Sequence, residues 1–142
     1  EDGILVSQKV LLTWLIESEE IFHQIEKYIT PEDFSEGLFR KVAELLYEQY
    51  EKHEANPAQI MNHFTDEEEH REVAGLFHTK IKELTTVKEQ EKALQETILR
   101  VKEHSIEEAT KNLDPTDIQG LQRLMNEKRK MQDLRTLHIS IN

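Results

Sequence analysis

Helix breakers are scarce in this chain: three Pro (Pro31, Pro57, Pro115) and four Gly (Gly3, Gly37, Gly75, Gly120) serve 142 residues. Between them Glu, Gln, Lys, Leu and Ala dominate, all good helix formers, and period-2 alternation is rare. A chain written this way folds as all-α. Leu, Ile, Val and Phe make up about 27% of it, above the ~20% region where highly charged chains stay disordered. One domain with a real core fits that length.

The apolar spacing predicts the helices in order. Ser7 is placed to cap a first helix whose apolar residues (Val10, Leu11, Leu12, Trp14, Leu15, Ile16) surround most of its girth, the mark of a central helix. Ser18-Glu19 opens a short second helix with Ile21, Phe22, Ile25 and Tyr28 on one side, and Thr30-Pro31 stops it. A third helix runs from about Ser35 to His53 on Leu38, Val42, Leu45, Leu46 and Tyr50. Asn56-Pro57 starts a short helix through Phe64, and Thr65 with Glu68 reads as a capping box for the next, whose buried side is Val73, Leu76, Phe77 and Ile81. From Val87 to Leu113 there is no Gly or Pro, and the stripe Leu94, Ile98, Val101 thins at Ser105 and Ala109. That pattern predicts a long connecting helix that leaves the bundle, with a bend or mobile joint between His104 and Ala109. Asp114-Pro115-Thr116-Asp117 breaks it and starts a last helix. The division is a bundle with its long helix over 1–113 and a C-terminal helical hairpin over 114–142.

Charge changes at the same break. Residues 1–114 carry 13 basic and 26 acidic side chains, net −13, whereas residues 115–142 carry five basic and three acidic, net +2. The total of −11 is the wrong sign for a general DNA or membrane-surface binder. Lys128-Arg129-Lys130 could reach phosphates, but every aromatic lies at or before Phe77, so none is left near the arm to stack bases. Absent cysteine excludes disulfides and thiolate chemistry. No apolar run approaches the ~20 residues of a membrane helix, and no signal-peptide pattern opens the chain. A start at Glu1 rather than Met reads as a piece of a longer protein.

Catalytic patterns are missing: no phosphate-cradling glycine loop, no G-x-S-x-G, no H-E-x-x-H. The one metal-like pattern is Glu-x-x-His, at Glu20/His23 and Glu67/His70, which in four-helix di-iron proteins supplies a carboxylate-bridged site. With 23 Glu among 142 residues, seven His generate about one such pair by chance, so two carry little weight. His63, His70 and His78 straddle a helix start and need share no face. No metal, cofactor or catalytic residue is therefore assigned.

The basic arm is the remaining candidate. Its apolar side could pack back on the long helix. A hairpin projecting beyond a bundle cannot cover both sides of that surface, however, and Met adapts to partner surfaces. Leu121, Leu124, Met125, Lys128, Arg129, Met131, Leu134 and Leu137 are assigned as the docking residues.

The stretch Ser7-Gln8-Lys9-Val10-Leu11-Leu12, then Ile25 to Ile29, Thr30-Pro31-Glu32-Asp33-Phe34, and Leu38-Phe39-Arg40 leading to Leu46-Tyr47 and Tyr50, resembles two related modules. One is the N-terminal domain of the DnaB-type replicative helicase. The other is the C-terminal helicase-binding domain of the DnaG-type bacterial primase, which the ending after Leu121 to Lys130 favours. The resemblance implies a bundle plus a C-terminal hairpin that docks on the hexameric helicase and couples primer synthesis to the fork. It also implies a bacterial cytoplasmic setting and no catalysis in this chain. The zinc-binding and magnesium-dependent polymerase domains of the family would lie outside it. The alternatives are a self-associating helicase N-terminal domain and, from another class, a di-iron carboxylate protein.

Overall fold

The computed structural model describes residues 2–78 and 86–141. Every regular element among them is helical: α1 (Asp2–Glu17), α2 (Glu19–Ile25), a 3₁₀ turn (Pro31–Asp33), α3 (Leu38–Glu51), a second 3₁₀ segment (Pro57–His63), α4 (Glu67–His78), α5 (Val87–Lys111) and α6 (Ile118–Thr136). Helix α1 is the hub, touching α2, α3, α4 and α5. Leu11, Leu12 and Leu15 on α1 are wholly buried and face Ile21 and Phe22 of α2, Val42 and Leu46 of α3, Val73 and Leu76 of α4, and Ile98 and Val101 of α5 within one core.

Several helix boundaries follow from named caps. The Ser18 hydroxyl accepts from the Ile21 N–H at 3.2 Å and opens α2 as expected. Thr86 and Glu89 cap each other at the start of α5, a box missed in the sequence. At α4 the expected Thr65/Glu68 box is replaced by Asp66, whose carboxylate accepts from the Glu69 N–H at 3.1 Å. Helix α3 starts at Leu38 rather than Ser35 because Gly37 turns the chain at φ +123°, where L side chains rarely go. Ile81, assigned to the buried side of α4, lies outside the described residues.

One expectation is corrected. Ser7 is not a cap: α1 already runs from Asp2, and Ser7 is buried mid-helix, where its hydroxyl accepts from Arg100 Nη1 at 3.0 Å. Its polar neighbour Gln8 is also buried and exchanges two hydrogen bonds with Ser35 (2.9 and 3.2 Å). Helix α5 is α-helical throughout Val87–Lys111, across the segment from His104 to Ala109 where a bend or mobile joint is expected. Ser105, where the apolar stripe thins, donates instead to Asp33 at 2.7 Å. A polar tether continues the work of the stripe.

The α5–α6 turn is tight. Asp114 accepts from the Thr116 N–H and hydroxyl at 2.9 and 2.8 Å, and Asp117 accepts from the Gly120 N–H at 2.9 Å as the cap of α6. A Cβ at Gly120 would sit 2.5 Å from the Asp117 carboxylate and 2.9 Å from the Leu113 side chain. Alanine in a helix is normally worth up to ~1 kcal/mol over glycine, but here it displaces a cap worth about 0.5–2 kcal/mol and collides with Leu113. Gly120→Ala is expected to lower the urea midpoint of unfolding, and a raised midpoint would contradict this turn.

Candidate functional site

The sequence motif around Pro31 proves to be a locked turn. The Asp33 carboxylate accepts from the Thr30 N–H at 2.8 Å, Arg40 donates through Nε to the Phe34 carbonyl (2.9 Å) and through Nη2 to the Glu32 carbonyl (3.3 Å), and Phe34 is buried. Tyr47 donates to the Ile29 carbonyl at 2.7 Å and Tyr50 to the Leu15 carbonyl at 2.6 Å. Burial pushes both phenols up, Tyr50 to about 12. All of these residues hold the backbone of the bundle.

Against that turn lies a buried cation. Lys102 on α5 is 0% exposed, and its Nζ reaches both Asp33 oxygens, at 3.2 and 3.3 Å, and Glu127 Oε1 on α6. Burial pushes the Glu127 carboxyl up, but hydrogen bonds and charge from Lys102 and Lys130 outweigh it, so its pKa ends below the ordinary value. A cleft of about 880 Å³ opens beside this network, between the Thr30–Arg40 turn and the facing parts of α5 and α6.

The arm lies along α5 instead of projecting from the bundle. Gln95 donates to the Leu134 carbonyl at one end and Lys102 meets Glu127 further on, so the two helices run antiparallel. Beyond α6 the tail is tied down as well. Gln24 and Ser140 exchange two hydrogen bonds (2.8 and 2.9 Å), Ile141 N–H donates to Glu91 at 3.0 Å, and Ile139 is buried. The eight assigned docking residues therefore separate into two sets. Leu124, Met131 and Leu134 are buried, Leu134 within the bundle core, and Leu137 is half-buried against that core, so these four face inward. Leu121, Met125, Lys128 and Arg129 are exposed. Ile118, unassigned from sequence, is 70% exposed and extends the stripe with Leu121 and Met125 at 45% and 57%. Its i, i+3, i+7 spacing was the available signal.

The other exposed large apolar side chains among the described residues are Leu5, Val6 and Val87. Leu5 and Val6 border a smaller groove, about 280 Å³, with Leu38 and Phe39. The Glu-x-x-His pairs lie on outer surfaces: His23 bonds Glu19 (3.2 Å) and Glu26 (3.4 Å) rather than Glu20, and Glu67, His70 and His63 are exposed. Among the described residues no three potential metal ligands converge, and no helix is long and apolar enough to cross a membrane. Comparison of the chain with family models, curated proteins and solved structures gave no match.

Glu127 gives the arm a pH dependence. Its folded pKa is depressed, so its contribution is complete above the ordinary carboxylate value of 4.5 and is lost as pH falls through the lower, folded one. Between neutral pH and about pH 3.5, wild type should therefore lose more stability than Glu127→Gln in urea titrations. Parallel losses would show that Glu127 is not held by Lys102.

Proposed function

We propose that this chain is a non-catalytic interaction domain that docks on a DnaB-type replicative helicase, as the C-terminal domain of a DnaG-type primase does. The observation that carries the reading is the α6 face: an exposed apolar stripe, Ile118–Leu121–Met125, followed by Lys128 and Arg129, on a helix whose opposite side is already buried. Large apolar side chains aligned in a contiguous exposed row mark a partner surface more than scattered ones do. The basic rim suits an acidic partner and would contribute to on-rate and salt sensitivity more than to final affinity.

Deleting residues 115–142 is a poor test, because it strips Leu134 and Ile139 from the core. Surface changes on the full chain are cleaner. Leu121→Asp and Met125→Asp are each expected to weaken binding to purified helicase by about tenfold or more, with circular dichroism unchanged. Unaltered affinity in both variants would remove α6 as the docking element. Leu124→Ala should behave differently, costing about 2–4 kcal/mol of folding stability because it empties a buried position. Lys128→Glu should reduce the association rate and flatten its dependence on salt.

A self-associating domain is the second reading, and the same exposed face favours it. Sedimentation of the isolated chain across micromolar concentrations separates the two: a lone monomer that binds helicase supports docking, whereas a stable oligomer supports self-association.

A further inference from the structure

Lys102 has more counter-charge than it needs. Two carboxylates, Asp33 and Glu127, share one ammonium, and they come from different parts of the molecule. Asp33 is 4% exposed and fixed three ways besides, by its own 3₁₀ turn, the Thr30 N–H and the Ser105 hydroxyl. Glu127 is about a third exposed, rides on α6 beside the cleft and is also held by Lys130 at 3.1 Å. The pair Lys102–Asp33 is neutral without Glu127. Moving α6 away therefore leaves no uncompensated charge in the core, the condition that makes breaking a buried ion pair so costly.

From this asymmetry we infer that Lys102 divides its two contacts into a permanent one, with Asp33, and a releasable latch, with Glu127, which controls how the arm presents its exposed face. Apolar packing along the arm reinforces the same division. Leu134 and Ile139, near the end of α6 and in the tail, belong to the bundle core, whereas Leu124 is the buried apolar side chain of the half nearer the turn. Between them Glu127 is the ionic fastening of α6 to α5. With the latch closed, the row Ile118–Leu121–Met125 stands on a helix held at a fixed angle to the bundle. With it open, the half of α6 nearest the turn loses its ionic tie to α5 and loosens beside the cleft while Gln24, Glu91 and Gln95 still hold the far end. The consequence for binding rests on the docking reading above; the latch itself does not.

Hydrogen exchange on the full chain tests it without any partner. In Glu127→Ala, amides over 121–128 are expected to exchange about tenfold faster than in wild type, the effect of losing one charge-assisted hydrogen bond. Amides at Leu46 and Ile98 in the core should be unchanged. Lys130→Ala, which removes Glu127's other partner, should leave the arm's exchange as it is. The latch is overturned if arm and core accelerate together in Glu127→Ala, if neither changes, or if Lys130→Ala matches it. In a helicase-binding assay Glu127→Ala should weaken docking several-fold although Glu127 lies off the exposed stripe. Faster exchange with no helicase binding even by wild type keeps the latch and discards the helicase.

Discussion

A lysine with no exposure to water is the constraint around which the rest of the structure is arranged. Moving an ammonium out of water costs several kcal/mol even after relaxation, and only close, well-satisfied counter-charges offset it. Lys102 meets that requirement because Asp33 waits for it in a turn whose backbone is already fixed. Arg40 clamps two of that turn's carbonyls, Thr30 donates to Asp33, and Ser105, one turn along α5 from Lys102, donates to it again. One charge thus ties three elements: the turn after α2, the long helix and the arm. Replacing Lys102 by an apolar residue would not be neutral, since Asp33 would be left as a buried unpaired ion.

This explains why the segment from Thr30 to Arg40 reads as a distinctive motif. Pro31 starts the 3₁₀ turn, Asp33 neutralises Lys102, Phe34 fills the core and Arg40 closes the loop. Each residue type has a role in packing or charge within the chain. A motif of this kind speaks to architecture first, and function has to be argued from the surface it leaves exposed. That surface is α6.

What could be read from the sequence divides along the distance between partners. Ser18 and Asp117 each cap an N–H three residues on and set helix starts where expected, whereas α2 ends at Ile25, before the Pro31 expected to stop it. Ser7 looked like a cap by the same local logic, but its partner Arg100 lies far along the chain. The joint expected near Ser105 rests on the same local logic: a thinning apolar stripe looks like a loose end until Asp33 is known to reach it. Lys102 did carry a faint local signal. It stands four residues after Ile98 and beside Val101, on the buried side of α5, where a lysine has no business without a counter-ion. The apolar row of α6 was half legible: periodicity found it but not which flank α5 would cover.

The size of the uncovered flank bears on what kind of binding it could support. Fully burying a Leu, Ile or Met side chain yields about 1.5–3 kcal/mol, and because Ile118, Leu121 and Met125 are 70%, 45% and 57% exposed, together they offer roughly 3–5 kcal/mol. Association itself consumes an estimated 4–15 kcal/mol. The surplus is small or absent, and the basic rim residues Lys128 and Arg129 add more to encounter rate than to residence time. On the proposed reading, one arm on one helicase subunit therefore makes a contact that forms and breaks readily. Rigidity then matters more than area: an arm already fixed against α5 loses little conformational freedom on docking, and each side chain immobilised beforehand spares about 0.5–1.5 kcal/mol. The buried seam of α6 and the Glu127–Lys102 contact contribute to affinity in that way, by fixing the helix before the partner arrives.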